Sequence, residues 1–444
     1  MDEPGAPADS RIAGRCRGMS ERRTGSARLD RAENDVDDLA GRAGALDAAD
    51  PLAGFRDQFI GSDDPTIIAY LDGNSLGRPL RATRDRISGF VEEVWGRQLI
   101  RAWDEGWMDD PVRIGDQIGR VVLGAAPGQT VVGDSTSVML YKWIRAALES
   151  QPGRDEIILD IGNFPTDRFV AEGIAAELGT RLRWLQADRR SGVTLDQVAE
   201  ATGSRTALIV LSDVAYRSGY LGDVAAITGM AHDHGALVLW DLCHSAGVIP
   251  RRLDDWRVDL AVGCTYKYLN GGPGSPAFGY VRADLHNRLR QPIQGWMGAA
   301  EPFAMAEHYA PSDGIRRFLS GTPSILGMLA MQDMLALIEQ AGLEAIRAKS
   351  VALTEFAIEV SDRLLGPSGV DVGSPRDPAV RGSHVTLEHP EFRVATQRLW
   401  ELGVIPDFRP PDGLRIGLSP LSTSFGEVYR GLLAVREVLW PPAR

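Results

Sequence analysis

The sequence predicts an α/β protein in which a mainly parallel sheet lies between helices, with a smaller C-terminal α/β domain after it. Three observations carry that expectation. Between about residues 130 and 285, short runs rich in Val, Ile and Leu alternate with stretches of helical spacing, the order that builds a helix-covered parallel sheet. Most of those runs lack polar alternation, as strands buried on both faces do. Beyond about residue 325 the texture changes to long amphipathic stretches and then shorter strand-like pieces.

In chain order, residues 1–45 read as a disordered tail. No Phe, Trp or Tyr occurs from Met1 to Gly54, and Ala, Gly, Arg and Asp dominate, a composition with too little apolar surface to offset the entropy of ordering. No apolar targeting segment follows the early arginines, and Met19 offers a second candidate start. Residues 46–325 are expected to form the large domain, with strands at 156–160, 183–186, 207–212, 236–241, 260–263 and 278–281 and helices at 138–148, 166–178, 195–201 and 224–234. Residues 326–444 are expected to form the small domain, introduced by helices at 325–338 and 343–365, with strands at 384–387 and 414–417.

Size and charge narrow the function classes. At 444 residues the chain exceeds what one compact core usually organises. Acidic residues outnumber basic ones by 60 to 48, which opposes non-specific attraction to nucleic acid or to an anionic membrane surface. Neither partner is expected, and any phosphate must be held by a local site. No apolar run approaches the ~18 residues of a membrane-spanning helix. Cys16, Cys243 and Cys264 are too few and too irregularly spaced for a disulfide frame or metal cluster, which suits a reducing compartment, the cytoplasm. His232 and His234 stand two residues apart and share no helical face, so no metal site is expected.

Ligands of open α/β sheets bind outside the carboxyl ends of the strands, and three expected strands end in polar chemistry: Ser212-Asp213, Asp241 with His244, and the run after Gly263. Asp241 closes an apolar run, and Lys267 lies in the loop after another strand. An acid and a lysine so placed suit pyridoxal phosphate, which needs an ε-amine for its Schiff base and a carboxylate against its pyridine nitrogen. Alone the pair does not decide, since a strand-end aspartate also serves as a cap and a loop lysine as surface. Gly133-Asp-Ser-Thr-Ser137 gathers hydroxyls and free N–H groups at a helix start, which fits either a phosphate site or an N-cap. Asn163-Phe-Pro-Thr-Asp167 opens another helix with an aromatic ring and a carboxylate side by side.

Four segments carry a more specific likeness: Leu71-Asp-Gly-Asn-Ser-Leu-Gly77, Asn163-Phe-Pro-Thr-Asp167, Trp240-Asp-Leu-Cys-His-Ser-Ala-Gly247 and Tyr266-Lys-Tyr-Leu-Asn-Gly-Gly-Pro-Gly274. From about residue 47 to its C-terminus the chain resembles the kynureninase family of fold-type I pyridoxal phosphate enzymes. The resemblance implies a seven-stranded, mainly parallel sheet, a cytoplasmic homodimer with shared active sites, and hydrolytic Cβ–Cγ cleavage of L-kynurenine to anthranilate and alanine. It implies Lys267 as the Schiff-base lysine, Asp241 as the main partner of the pyridine nitrogen with Asp167 assisting, and Phe164 stacked on the ring. His244 and Ser212 would lie near the phenolic oxygen. Thr136, Ser137 and Tyr266 would hold the phosphate together with Trp296 and Thr322 from the second subunit, and Tyr266 would double as a proton shuttle. Arg415 matches the arginine that grips the substrate carboxylate, and Ser75 belongs to the substrate-binding set.

Trp103 with Gly321-Thr322 is similar to the bacterial type, in which a dry pocket leaves a ring hydroxyl poorly paired. L-kynurenine is therefore expected to be preferred over 3-hydroxykynurenine. An aminotransferase or lyase of the same superfamily is the alternative. A desulfurase needs a mobile C-terminal cysteine, and none occurs after Cys264.

Overall fold

The computed structural model describes residues 34–441. Its main sheet has seven strands in the spatial order Thr130–Gly133, Ala277–Val281, Leu260–Gly263, Leu237–Asp241, Thr206–Ser212, Glu156–Asp160 and Arg181–Leu185. Ala277–Val281 runs antiparallel to both its neighbours, and the other four pairings are parallel. Val210, Leu239 and Val262, from the three central strands, are wholly buried, which is why these runs show no polar alternation. The six expected strands are all present. The seventh, Thr130–Gly133, is a four-residue edge strand.

Helices cover both faces. Pro165–Leu178 starts with Pro in its first turn, where the missing N–H costs nothing, and ends on Gly179 in the left-handed conformation (φ +70°). Leu195–Ala201 begins with a capping box between Thr194 and Gln197. Val224–Asp233 is capped by Asp223, whose carboxylate accepts from Ala226 N (3.0 Å).

The small domain holds a four-stranded antiparallel sheet in the order Asp407–Arg409, Gly413–Gly417, His384–Glu388 and Asp371–Val372. Two expectations about boundaries need correction. The tail expected to reach residue 45 ends sooner, because residues 34–49 form a helix. Val36, Leu39, Ala43 and Leu46 recur on one face of it and pack into the small-domain core with Phe356 and Leu432. Asp47 then accepts from Phe425 N (2.8 Å) and Gly426 N (2.9 Å), placing a carboxylate at the positive end of Phe425–Leu439. Residues 1–33, with Cys16 and Met19, lie outside the described residues.

The boundary expected at 325 also moves. Met331, Leu335 and Ile338 of Leu329–Ala341 and Ile346 of Leu343–Leu364 pack into the large-domain core, whereas Leu353 and Phe356 belong to the other core. The change of domain therefore falls within Leu343–Leu364. Among the described residues no helix is long and apolar enough to cross a membrane.

Candidate active site

Parallel strands bring their carboxyl ends to one edge, and four of the expected residues reach it from adjacent strands or their loops. Ser212 and Asp241 are register partners on neighbouring strands. Asp213 N donates to Asp241 O (2.9 Å), and the Asp213 carboxylate pairs with Arg251 through two contacts (2.6 and 2.8 Å) in the interior. That ion pair pins the edge. Removing one partner would strand a buried charge at a cost of about 3–5 kcal/mol.

Lys267 and His244 meet directly, Nζ to Nε2 at 2.9 Å. A lysine ammonium only donates, so Nε2 accepts and the imidazole proton sits on Nδ1, which is buried without a partner. Burial, reinforced by the positive charge of Lys267, holds the His244 pKa well below the ordinary value, so the ring is neutral. Lys267 Nζ also lies 6.0 Å from the centre of the Phe164 ring, and that ring meets Tyr216 edge-on at 5.4 Å.

Asp167 sits in the first turn of Pro165–Leu178 but makes no capping bond there. Its side chain is turned to the interior, with Oδ2 buried and unpartnered. Burial first, then the charge of Asp241, pushes its pKa well above the carboxylate range, against the opposing pull of Lys267. Asp241, by contrast, accepts from Cys243 N through Oδ1 (2.7 Å). Two carboxylates thus face one space beside a lysine. A cationic aromatic nitrogen is the group that such a pair matches.

Thr136 and Ser137 open Thr136–Glu149, where Ser135 caps Val138 N (3.4 Å) and the first N–H groups are free for an anion. Together with Phe164, Asp167, Ser212, Asp241, His244, Tyr266 and Lys267 they line one cavity. Thr166, Tyr216 and Cys243 complete its wall. The fit to pyridoxal phosphate is good on the chain's own terms: a helix start for the phosphate, unpartnered acid and imidazole atoms for the ring, and a lysine between them. The Tyr266 pKa is raised, chiefly by burial and then by the neighbouring thiols of Cys264 and Cys243, so its phenol keeps its proton.

Arg415 lies in Gly413–Gly417 and is 1% exposed. It donates to Ser75 Oγ (2.6 Å) and Tyr216 O (3.0 Å), and Asp407 approaches it to 2.7 Å. The segment 71–77 ties this arginine to the lysine loop. Gly73 N donates to Gly417 O (3.3 Å) and Gly77 N to Tyr266 O (2.8 Å). A Cβ on Gly77 would fall 2.4 Å from the Lys267 carbonyl, and one on Gly417 1.7 Å from Asn74 Oδ1, so both contacts require glycine. The Asp72 pKa is pushed up to about 6 by burial and then by Asp407.

Trp103, Trp296, Gly321 and Thr322 are not brought to the cavity. Trp103 packs edge-on against Trp107 (5.4 Å) and Trp296 (6.2 Å), forming an outer aromatic cluster, and Gly321 and Thr322 are exposed. Sequence reasoning missed Tyr216, Asp407 and His384. The His384 ring is wholly buried 5.6 Å from His244, and only its place at the start of an expected strand could have drawn notice.

The class-V aminotransferase family model matches residues 121–389, and the kynureninase C-terminal domain model matches 346–435. A kynureninase of Pseudomonas fluorescens is 41% identical over 402 residues, covering 89% of this chain and 94% of that protein. The chain belongs to the kynureninase family. A second kynureninase, from Deinococcus radiodurans, is also 41% identical over 89% of this chain and 95% of its own. Among solved structures, a C-DES mutant with glycine covalently linked to its PLP cofactor superposes with a TM-score of 0.75 at 18% identity, covering 86% of this chain and 99% of that one. The cysteine desulfurase CsdA of Escherichia coli gives 0.74 at 17% identity, over 87% and 98%. At those identities the likeness carries the fold.

Proposed function

We propose that this member of the kynureninase family hydrolyses the Cβ–Cγ bond of L-kynurenine, giving anthranilate and L-alanine, with pyridoxal phosphate held at Lys267. The observation that carries this reading is the contact between Lys267 and His244 in a cavity walled by Asp167 and Asp241. When bound, pyridoxal phosphate supplies an electron sink for the bond-breaking steps. Asp241 would be the main partner of the pyridine nitrogen with Asp167 assisting, Phe164 would cover the ring, and Thr136, Ser137 and Tyr266 would bind the phosphate.

Arg415 orients the substrate through its carboxylate, for which a planar fork of N–H donors is suited. The ε-amine of Lys267 is the base at the substrate Cα, with neutral His244 next to it to accept its hydrogen bond. Tyr266, keeping its phenolic proton, serves as a donor to the leaving carbon. One water is consumed: its oxygen ends in the carboxylate of anthranilate, and a proton ends on the methyl group of alanine. Ser75 anchors Arg415. Trp103, Gly321 and Thr322 lie outside this chain's own cavity, so their bearing on the substrate's aryl group, like the phosphate contacts assigned to Trp296 and Thr322, depends on a homodimer that brings them to the second subunit's site. The enzyme is placed in the cytoplasm, where the thiols Cys243 and Cys264 stay reduced.

Incubating the protein with L-kynurenine, with and without added pyridoxal phosphate, tests the reaction through anthranilate fluorescence and the alanine formed with it. Equal amounts of the two products are expected. Consumption of a keto acid with no anthranilate would replace this reading with an aminotransferase.

A further inference from the structure

Helix Thr136–Glu149 carries a lysine the chemistry above does not use. Lys142 is wholly buried. An ammonium has three hydrogens, and three acceptors meet this one: Asp134 Oδ2 at 2.8 Å, Ser320 Oγ at 3.0 Å and the Phe318 carbonyl. Each acceptor belongs to a segment that bears on the phosphate.

Asp134 begins the turn that delivers Thr136 and Ser137, and it does so with φ +50°, a left-handed conformation that few non-glycine residues adopt. Its carbonyl accepts from Ala277 N (3.0 Å) and its carboxylate from Lys142, so the strained residue is held from both ends. Ser320 continues the chain of bonds, with Oγ 3.4 Å from Asp134 Oδ2. Its carbonyl accepts from Met297 N (3.2 Å), and a Cβ on Gly295 would lie 2.1 Å from that oxygen, so the Trp296 turn presses on the same point. Gly321 and Thr322 follow directly.

We propose that Lys142 is a positioning residue for phosphate recognition: through Asp134 and Ser320 it fixes the turn bearing Thr136 and Ser137 together with the segments bearing Trp296 and Thr322. This rests on the reading of the cavity as a pyridoxal phosphate site. Lys142 touches neither cofactor nor substrate. It sets the shape of the cradle, and because Trp296 and Thr322 are assigned to the second subunit's site, one ammonium couples the two cradles of a dimer.

The test uses purified full-length enzyme stripped of cofactor and titrated with pyridoxal phosphate or with pyridoxal, the same aldehyde without the phosphate, following the cofactor's visible absorbance. Lys142→Met is expected to raise the Kd for pyridoxal phosphate about tenfold or more, the scale of a lost charge-assisted hydrogen bond. The Kd for pyridoxal should change by less than about twofold, since none of the lost bonds reaches the ring. A lesion of general stability moves both ligands alike, and that result, or no change in either, overturns the proposal. Should Lys142→Met fail to fold by circular dichroism, Ser320→Ala keeps the Lys142–Asp134 pair and isolates the link. It is expected to weaken pyridoxal phosphate about threefold, the size of one neutral hydrogen bond, and pyridoxal not at all; an unchanged phosphate preference refutes the link. If the unmodified enzyme binds both aldehydes equally, the cavity reading itself fails, and the role of Lys142 with it.

Discussion

The strand-end cavity and the outer aromatic cluster are built on opposite terms. Around Lys267, residues from neighbouring parallel strands and two helix starts converge, and burial pushes the Asp167 pKa up and the His244 pKa down. Around Trp103, aromatic rings pack edge-on at the surface, where Phe303 and Trp296 stay partly exposed. One chain thus completes the machinery for bond breaking, while the residues expected to sort aryl groups stand outside it. Reaction chemistry and substrate choice are separable in this fold, and substitutions in the two regions should fail differently.

The largest effect belongs to the lysine. Lys267→Ala is expected to lower kcat by about 10⁴-fold or more, since it removes both the covalent attachment and the base; anthranilate fluorescence measures it, and near-normal turnover would sink the assigned chemistry. Asp241→Asn should cost about 10²–10³-fold in kcat, the range for removing a group that stabilises developing charge. Asp167→Asn, at an acid whose pKa burial already pushes up, should stay within about threefold. Equal losses in the two steady-state assays would show that the acids share their roles.

Arg415→Lys lies between the regions. It keeps the charge and loses the fork, and kcat/KM for L-kynurenine should drop about 10²-fold, mainly through KM. A selective loss of kcat would place the arginine elsewhere in the cycle. The smallest effect is expected outside: Trp103→His should raise kcat/KM for 3-hydroxykynurenine relative to L-kynurenine by about tenfold while kcat for L-kynurenine holds. An unchanged ratio would make Trp103 a packing residue and erase the contrast.

Much of this was legible in the sequence because strands buried on both faces leave unbroken apolar runs, and the polar residues that end them stand out. Lys267, Asp241, His244 and Ser212 were visible on that ground. The edge strand Thr130–Gly133 was not, being only four residues long and merging into the phosphate turn. Helix 34–49 was hidden by composition: Ala, Gly and Asp outweigh the Val36, Leu39, Ala43 and Leu46 spacing that marks its buried face. Lys142 gave no signal, since a lone lysine in a helix reads as a solvated face until its three acceptors, two of them far along the chain, are known. Asp407 meets Arg415 as its register partner across the hairpin 407–417, whose strand Asp407–Arg409 the sequence did not mark, and Tyr216 reaches it only through tertiary contact.

The small domain draws its core from both ends of the chain, with Leu39 and Ala43 lying against Phe356 and Leu432. During synthesis the amino-terminal helix leaves the ribosome long before its partners exist, so it must wait, an amphipathic segment with no surface to cover. The large domain can mature in that interval, and closure of the small one is deferred until the last helix is released. Deleting helix 34–49 or Phe425–Leu439 should therefore produce the same injury, a loosened lobe carrying Arg415, while the cofactor chamber remains assembled.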